Sequence, residues 1–270
     1  MSARIVLVGC GNMGYAMLAG WLSSGKLRAD EAIVVEPTDA LRERAAALGV
    51  TALPDAGAIP ADAAPRLVVF AVKPQVILDV VPAYARFKPS TTYVSVAAGT
   101  PISAFESALG ADAGVIRCMP NTPAAIGKGM MVVVANGNVG DATNDFVRDL
   151  LSASGEVATI DDEGLMDAVT AVSGSGPAYV FHFIECLTAA GEKAGLPVET
   201  AKLLAMQTVY GAAALAAESH DEPGTLRQQV TSPNGTTAAA LAVLMGDDRL
   251  KTLVTEAVEA ARLRSIELGK

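Results

Sequence analysis

Aromatic residues supply only 4% of this 270-residue chain, and it holds just three cysteines, two histidines and a net charge of −9. So few aromatics argue against a bulky ring-filled core. With alanine providing much of the 51% hydrophobic content, close-packed helices of small side chains are expected instead. The acidic balance excludes nucleic acid as a partner, because a phosphate footprint needs a basic stripe and none is present. An anionic cofactor is not excluded, since helix dipoles and backbone amides act locally. His182 and His220 have no cysteine or carboxylate at ligand spacing, so no metal site is expected. The three cysteines lack paired spacing. Cys118 and Cys186 fall in apolar stretches and read as reduced core thiols, whereas Cys10 lies in a glycine loop. Long apolar runs are missing too, each being broken before membrane-spanning length, so no membrane association is expected. Met1-Ser2-Ala3-Arg4 leads directly into the first apolar run, with no room for a signal peptide. A soluble cytoplasmic protein is the expectation.

What is present is ordered. Apolar runs at 4–8, 32–36, 67–72, 92–96, 115–118, 130–135 and 157–160 alternate with helical stretches at 12–24, 38–48 and 141–152. Two more helices start at Pro74 and at Thr100-Pro101, where a proline in the first turn loses no hydrogen bond. Strand–helix repeats with short connections imply a parallel sheet covered on both faces. After Asp161-Asp162-Glu163 the strand pattern stops, and 165–172, 177–194, 197–219 and 247–268 read as helices. The helix at 197–219 is apolar around most of its circumference, through Leu203, Leu204, Met206, Val209, Tyr210 and many alanines. So small a domain cannot hide every such face within itself. The expected cover is the same bundle of another subunit, in an intertwined homodimer or a larger assembly of dimers.

Gly9-Cys10-Gly11-Asn12-Met13-Gly14 fits G-x-G-x-x-G, between a strand and a helix. In that context Gly9 makes the tight turn, Gly11 admits a pyrophosphate to the backbone, and Gly14 lets helix and strand pack closely. The N-terminal half is therefore expected to be a Rossmann-type dinucleotide-binding domain spanning 1–163, followed by an all-α C-terminal domain spanning 164–270 for substrate and dimerisation. Glu36 ends the second strand, where a carboxylate would bond the ribose hydroxyls and favour NADH over NADPH. Thr38, Arg42 and Arg44 could instead receive a 2′-phosphate if Glu36 turns away, so either coenzyme is open. Three segments end predicted strands, where an open α/β sheet places its crevice: Val72-Lys73-Pro74-Gln75, Ala97-Ala98-Gly99-Thr100 and Arg117-Cys118-Met119-Pro120-Asn121-Thr122-Pro123. Lys73 faces phosphate, substrate or solvent on this reading, and Pro120-Asn121-Thr122-Pro123 reads as a nicotinamide-side wall, with an ordinary turn as the alternative.

Two glycine- and hydroxyl-rich segments precede helices in the second half: Ser173-Gly174-Ser175-Gly176-Pro177 and Thr231-Ser232-Pro233-Asn234-Gly235-Thr236-Thr237. Either could be a helix cap alone. Together they offer free amides and hydroxyls, a seat for a carboxylate.

In order and spacing along the whole chain, the fingerprint, Val-Lys-Pro-Gln, Arg-Cys-Met-Pro-Asn-Thr-Pro, Ser-Gly-Ser-Gly-Pro-Ala-Tyr and Thr-Ser-Pro-Asn-Gly-Thr-Thr segments resemble pyrroline-5-carboxylate reductase. The resemblance implies reduction of 1-pyrroline-5-carboxylate to L-proline by NADPH or NADH. It implies cofactor contacts at Gly9 to Gly14, at Glu36 and Thr38, at Ala71, Val72, Lys73 and Pro74, and at Val96, Ala97 and Ala98. Substrate contacts fall on Ser173, Gly174, Ser175 and Gly176 and on Ser232 to Thr237, the latter donated by the partner subunit. Within that segment Asn234, Gly235, Thr236 and Thr237 hold the substrate, and Thr237 and Ser232 are the catalytic candidates, with Thr237 placed on the ring nitrogen. The family commonly has Pro-Gly-Gly where this chain has Pro233-Asn234-Gly235, and asparagine tolerates the left-handed backbone that glycine would adopt. A β-hydroxyacid-type dehydrogenase would need a lysine early in the second half, and 173–186 contains none. A non-catalytic dinucleotide sensor would have no use for two substrate-type helix starts.

Overall fold

The computed structural model describes residues 4–269. Eight strands form one sheet in the order β3-β2-β1-β4-β5-β6-β7-β8. They are β1 (Ile5–Val8), β2 (Ala32–Val35), β3 (Thr51–Leu53), β4 (Leu67–Phe70), β5 (Thr92–Ser95), β6 (Gly114–Met119), β7 (Gly129–Ala135) and β8 (Gly155–Thr159). Five helices alternate with them: α1 (Asn12–Ser23), α2 (Asp39–Ala46), α3 (Pro74–Val80), α4 (Ile102–Leu109) and α5 (Asp141–Leu151). Every residue of β1, β2 and β4 is buried, as a strand covered on both faces requires. Helix α3 does begin on Pro74, at the turn whose N–H groups have no helical partner anyway.

The two faces of the sheet carry separate cores. On one, Phe70, Tyr84, Tyr93 and Phe105 cluster, with the Phe70 and Tyr84 rings edge to face at 5.4 Å and the Tyr93 hydroxyl donating to Tyr84 O at 3.0 Å. On the other, Met17, Leu18 and Trp21 of α1 share a cluster with Val147, Leu150 and Leu151 of α5.

Six strands are mutually parallel, the expected sheet, but the last two run the other way. Strand β7 is antiparallel to β6, with Cys118 opposite Val133, and β8 is parallel to β7. The physical reason is connection length: residues 120–128 join β6 to β7, short of the ~12 residues a parallel crossover needs. The edge strand β3 is a further addition, too short and too exposed to show as an apolar run.

The chain divides into two compact units, Met1–Ser175 with Ala261–Lys270, and Gly176–Ala260. In the first unit, α6 (Met166–Val169) runs into a π-helical turn at Thr170–Gly174. The second holds α7 (Gly176–Lys193), α8 (Val198–Glu218), α9 (Pro223–Gln229), α10 (Thr236–Met245) and most of α11 (Arg249–Leu268). Helices α7 and α8 pair through small residues: a Cβ on Gly191 would lie 3.2 Å from the Ala201 Cβ, and Ala201 and Ala205 are buried. Much of the rest of α8 is uncovered among the described residues, with Leu203 and Tyr210 68% and 69% exposed. The expectation for the thiols needs correcting on this point. Cys186 on α7 is exposed, because no element among the described residues covers that face, whereas loop Cys10 is buried. Among the described residues no helix is long and apolar enough to cross a membrane.

Candidate active site

Strands β1, β4 and β5 end in step, with Val8 beside Phe70 and Phe70 beside Ser95, and Ser95 lies beside Arg117, two residues before β6 ends. The loops that follow therefore share one edge. Strand order reverses between β1 and β4, the switch point at which an open sheet forms its ligand crevice. Gly9–Gly14, Ala71–Pro74, Val96–Ala98 and Pro120 all lie on that edge, and the structure brings them together.

The three fingerprint glycines are not equivalent. A Cβ on Gly9, whose φ is +87°, would meet Ala71 O at 2.8 Å, and one on Gly14 would meet Gly9 O at 2.3 Å. Those two are required by the chain's own packing. At Gly11 a Cβ would meet nothing within 4 Å, and its φ of −63° is open to any residue. The bare backbone there faces space that the protein does not fill. Beside it the first N–H groups of α1, on Asn12 and Met13, meet no acceptor among the described residues. This arrangement fits the pyrophosphate of a dinucleotide.

Glu36 is buried at 5% exposure and faces the loop. Its Oε2 accepts the Cys10 N–H at 2.8 Å, and its Oε1 accepts the Thr38 N–H at 2.9 Å. The neighbouring arginines turn to main-chain oxygen: Arg42 Nη1 donates to Glu36 O and Pro37 O, and Arg44 Nη2 donates to Cys10 O at 2.9 Å and Gly11 O at 3.2 Å. The Arg44 guanidinium also lies 4.2 Å over the Tyr15 ring. Burial pushes the Cys10 thiol up to about 11, so it is protonated at neutral pH and is no nucleophile. Lys73 is exposed at the start of α3.

Ser173 and Gly174 end the π-helical turn, with the Ser175 N–H donating to Thr170 O at 2.8 Å. Such turns are frequent at functional sites. The edge loop after β6 supports it. Asn121 Nδ2 donates to Ser173 O at 3.2 Å, while its Oδ1 accepts the Met130 N–H at 2.9 Å. A Cβ on Gly174 would come 2.5 Å from the end of the Met119 side chain, which would have to turn aside.

In the second unit, the 231–237 segment turns before α10. Asn234 takes a φ of 60°, the left-handed conformation anticipated for it. The Gly235 N–H donates to Ser232 O at 3.0 Å, so this amide closes the turn and is not free for a ligand. The N–H groups of Thr236 and Thr237 have no acceptor among the described residues, and no side chain caps the helix. Gly176, Ser232, Asn234, Gly235, Thr236 and Thr237 belong to this unit, the other predicted site residues to the first.

Comparison with known proteins places the chain. Residues 163–268 match the family of pyrroline-5-carboxylate reductase dimerisation, and residues 4–99 match NADP oxidoreductase, coenzyme F420-dependent. A pyrroline-5-carboxylate reductase of Pseudomonas aeruginosa is 42% identical, over 99% of this chain and 97% of that protein. This chain belongs to the pyrroline-5-carboxylate reductase family. The solved reductase structure from Coxiella burnetii superimposes with a TM-score of 0.93 at 33% identity, covering 100% of both chains. That of Plasmodium falciparum, described with NADP bound, gives 0.84 at 29% identity over 99% of this chain and 98% of the other.

Seen as a reductase, the molecule contains two supports that residue patterns did not single out. One is Asn121, read before only as part of a wall. The other is buried Arg117, paired with Glu163 at 3.0 Å, whose Oε1 also accepts the Ile102 N–H at 2.8 Å. That pair ties β6 to the start of α4. A lone arginine inside an apolar strand run was the available signal.

Proposed function

We propose that this protein reduces 1-pyrroline-5-carboxylate to L-proline, the last step of proline biosynthesis, with NADPH or NADH as reductant. The reading is supported first by full-length similarity to reductases of that name. Its main structural support is Gly11, whose missing side chain the protein's own packing leaves unexplained. Neither a β-hydroxyacid dehydrogenase nor a non-catalytic sensor is favoured.

The bound coenzyme supplies the hydride. What the chain supplies is orientation, because a protonated cyclic imine is already electrophilic and needs neither metal nor strong base. The cofactor residues are Gly9 to Gly14, Glu36, Thr38, Ala71 to Pro74, Val96 to Ala98 and Pro120. The substrate carboxylate sits on the Thr236 and Thr237 N–H groups at the positive end of α10. The Thr237 hydroxyl bonds the ring nitrogen, either donating a proton that it regains from water or orienting a water that donates it. Ser173 to Gly176, Ser232, Asn234 and Gly235 enclose the ring. The functional domains divide near residue 163, into 1–163 for the dinucleotide and 164–270 for substrate and dimerisation. The exposed stripe of α8 supports a homodimer, with larger assemblies built from dimers, and the partner donates the 232–237 segment. Free thiols support a cytoplasmic location.

The test is direct. Addition of pyrroline-5-carboxylate to the protein with NADH or NADPH should deplete nicotinamide absorbance and yield proline. No oxidation of either coenzyme would refute the assignment.

A further inference from the structure

We propose that the coenzyme pocket is built for NADH and against NADPH, with Glu36 as the residue that discriminates. The proposal rests on the reductase reading and deepens it. Sequence alone leaves Glu36 free to swing away and admit a 2′-phosphate. In the fold that swing is blocked, because each carboxylate oxygen already accepts a main-chain N–H, from Cys10 and from Thr38. Rotating the side chain out would leave two N–H groups without their acceptor, the Cys10 one in a buried loop.

The same two bonds prepare the carboxylate for ribose. A carboxylate has about four acceptor sites on its two oxygens. Each oxygen of Glu36 thus retains capacity for one more donor, which the 2′- and 3′-hydroxyls of an unphosphorylated adenosine ribose would provide. A 2′-phosphate offers no such donor at neutral pH and sets a dianion against the carboxylate.

Phosphate recognition would need a cationic group free to turn to it, and the two near in sequence already donate to main-chain oxygens. Arg42 spans Glu36 O, Pro37 O and the Asp39 carboxylate. Arg44 is folded over Tyr15 and donates through Nη2 to the carbonyls of the fingerprint loop, while its buried Nε meets no acceptor among the described residues. Thr38 is left to offer a hydroxyl only. Arg44 is accordingly a positioning residue for the loop, and Glu36 the contact that sets preference.

The experiment is equilibrium binding of NADH and NADPH, and of AMP and adenosine 2′-monophosphate, to the full-length protein without substrate. Wild-type protein should bind NADH about tenfold or more tightly than NADPH, and AMP more tightly than its 2′-phosphate analogue, the scale set by losing a charge-assisted hydrogen bond. Glu36→Ser should narrow or invert both ratios. Equal or tighter binding of NADPH by the wild-type protein overturns the proposal, as does an unchanged ratio in folded E36S. Should E36S not fold, the wild-type ratio and that of E36Q, which keeps the side chain's size and loses its charge, still decide it. Because no turnover is read, absence of imine reduction would sink the reductase reading and leave this result standing.

Discussion

Thr237→Ala separates a chemical role for the hydroxyl from a structural one. In the folded chain Thr237 lies in the first turn of α10, the helix is capped by Gly235 backbone, and no side chain makes a cap hydrogen bond. The Thr237 hydroxyl has no partner among the described residues, so its removal breaks nothing within the chain. Alanine is moreover the better helix former, by up to ~0.7 kcal/mol. The thermal midpoint should therefore stay level or rise slightly. Catalysis should respond differently. A hydrogen bond to a group carrying charge contributes about 1.5–3 kcal/mol, which as lost transition-state stabilisation is a fall of ~10- to ~150-fold in kcat/KM. The assay is initial rate against imine concentration at saturating coenzyme, with coenzyme affinity measured separately and expected to be unchanged. Thr237→Ser should restore most of the rate, since it returns the hydroxyl without the methyl group. Undiminished kcat/KM in the alanine variant would refute the hydroxyl's role at the ring nitrogen.

Gly11→Ala and Gly14→Ala should fail in different ways. The first adds a Cβ into open space, so the protein should fold with normal stability yet bind either coenzyme at least tenfold more weakly, on the order of 1.4 kcal/mol. The second would bring Cβ 2.3 Å from Gly9 O and should lower the unfolding midpoint whether or not coenzyme is present. Asn121→Ala should raise KM for the imine while sparing coenzyme affinity, because it frees Ser173 from the β6 edge loop; an equal loss for both ligands would contradict this. Burial holds the Cys10 and Cys118 thiols up at about 11 and about 12, so both should resist alkylation at pH 8 until the protein unfolds. By the same shifts their contribution to stability is complete below the ordinary thiol pKa and declines as pH rises toward those values, visible as a falling midpoint in alkaline melts. Met206→Glu, on the uncovered face of α8, should shift sedimentation toward a monomer.

Most strands and helices announce themselves through composition. Runs such as Leu67 to Val72 are apolar throughout, and prolines and glycines mark the turns between them. What could not be read has physical causes. β3 is three residues long and lies at an edge, so it needs no apolar face. The direction of β7 is set by how far residues 120–128 can reach, which no residue pattern records. At the site, the fingerprint gave the backbone shape, and a carboxylate at residue 36 was visible. Its two N–H partners were not, because they depend on a loop folding back across 26 residues. The Gly235 amide looked available in the sequence, and only the closed turn shows it engaged with Ser232. Cys186 lay in an apolar stretch and read as a core thiol, but burial depends on what packs against that face of α7, which residue type does not record.

A crystal structure of the protein with bound coenzyme and L-proline tests the account at its centre. It should show the amino-acid carboxylate on the Thr236 and Thr237 N–H groups, with the ring carbon against the nicotinamide of a coenzyme whose pyrophosphate rests on Gly11. Proline bound with its carboxylate on other donors, or with the α10 start of every subunit remote from the nicotinamide, would contradict it.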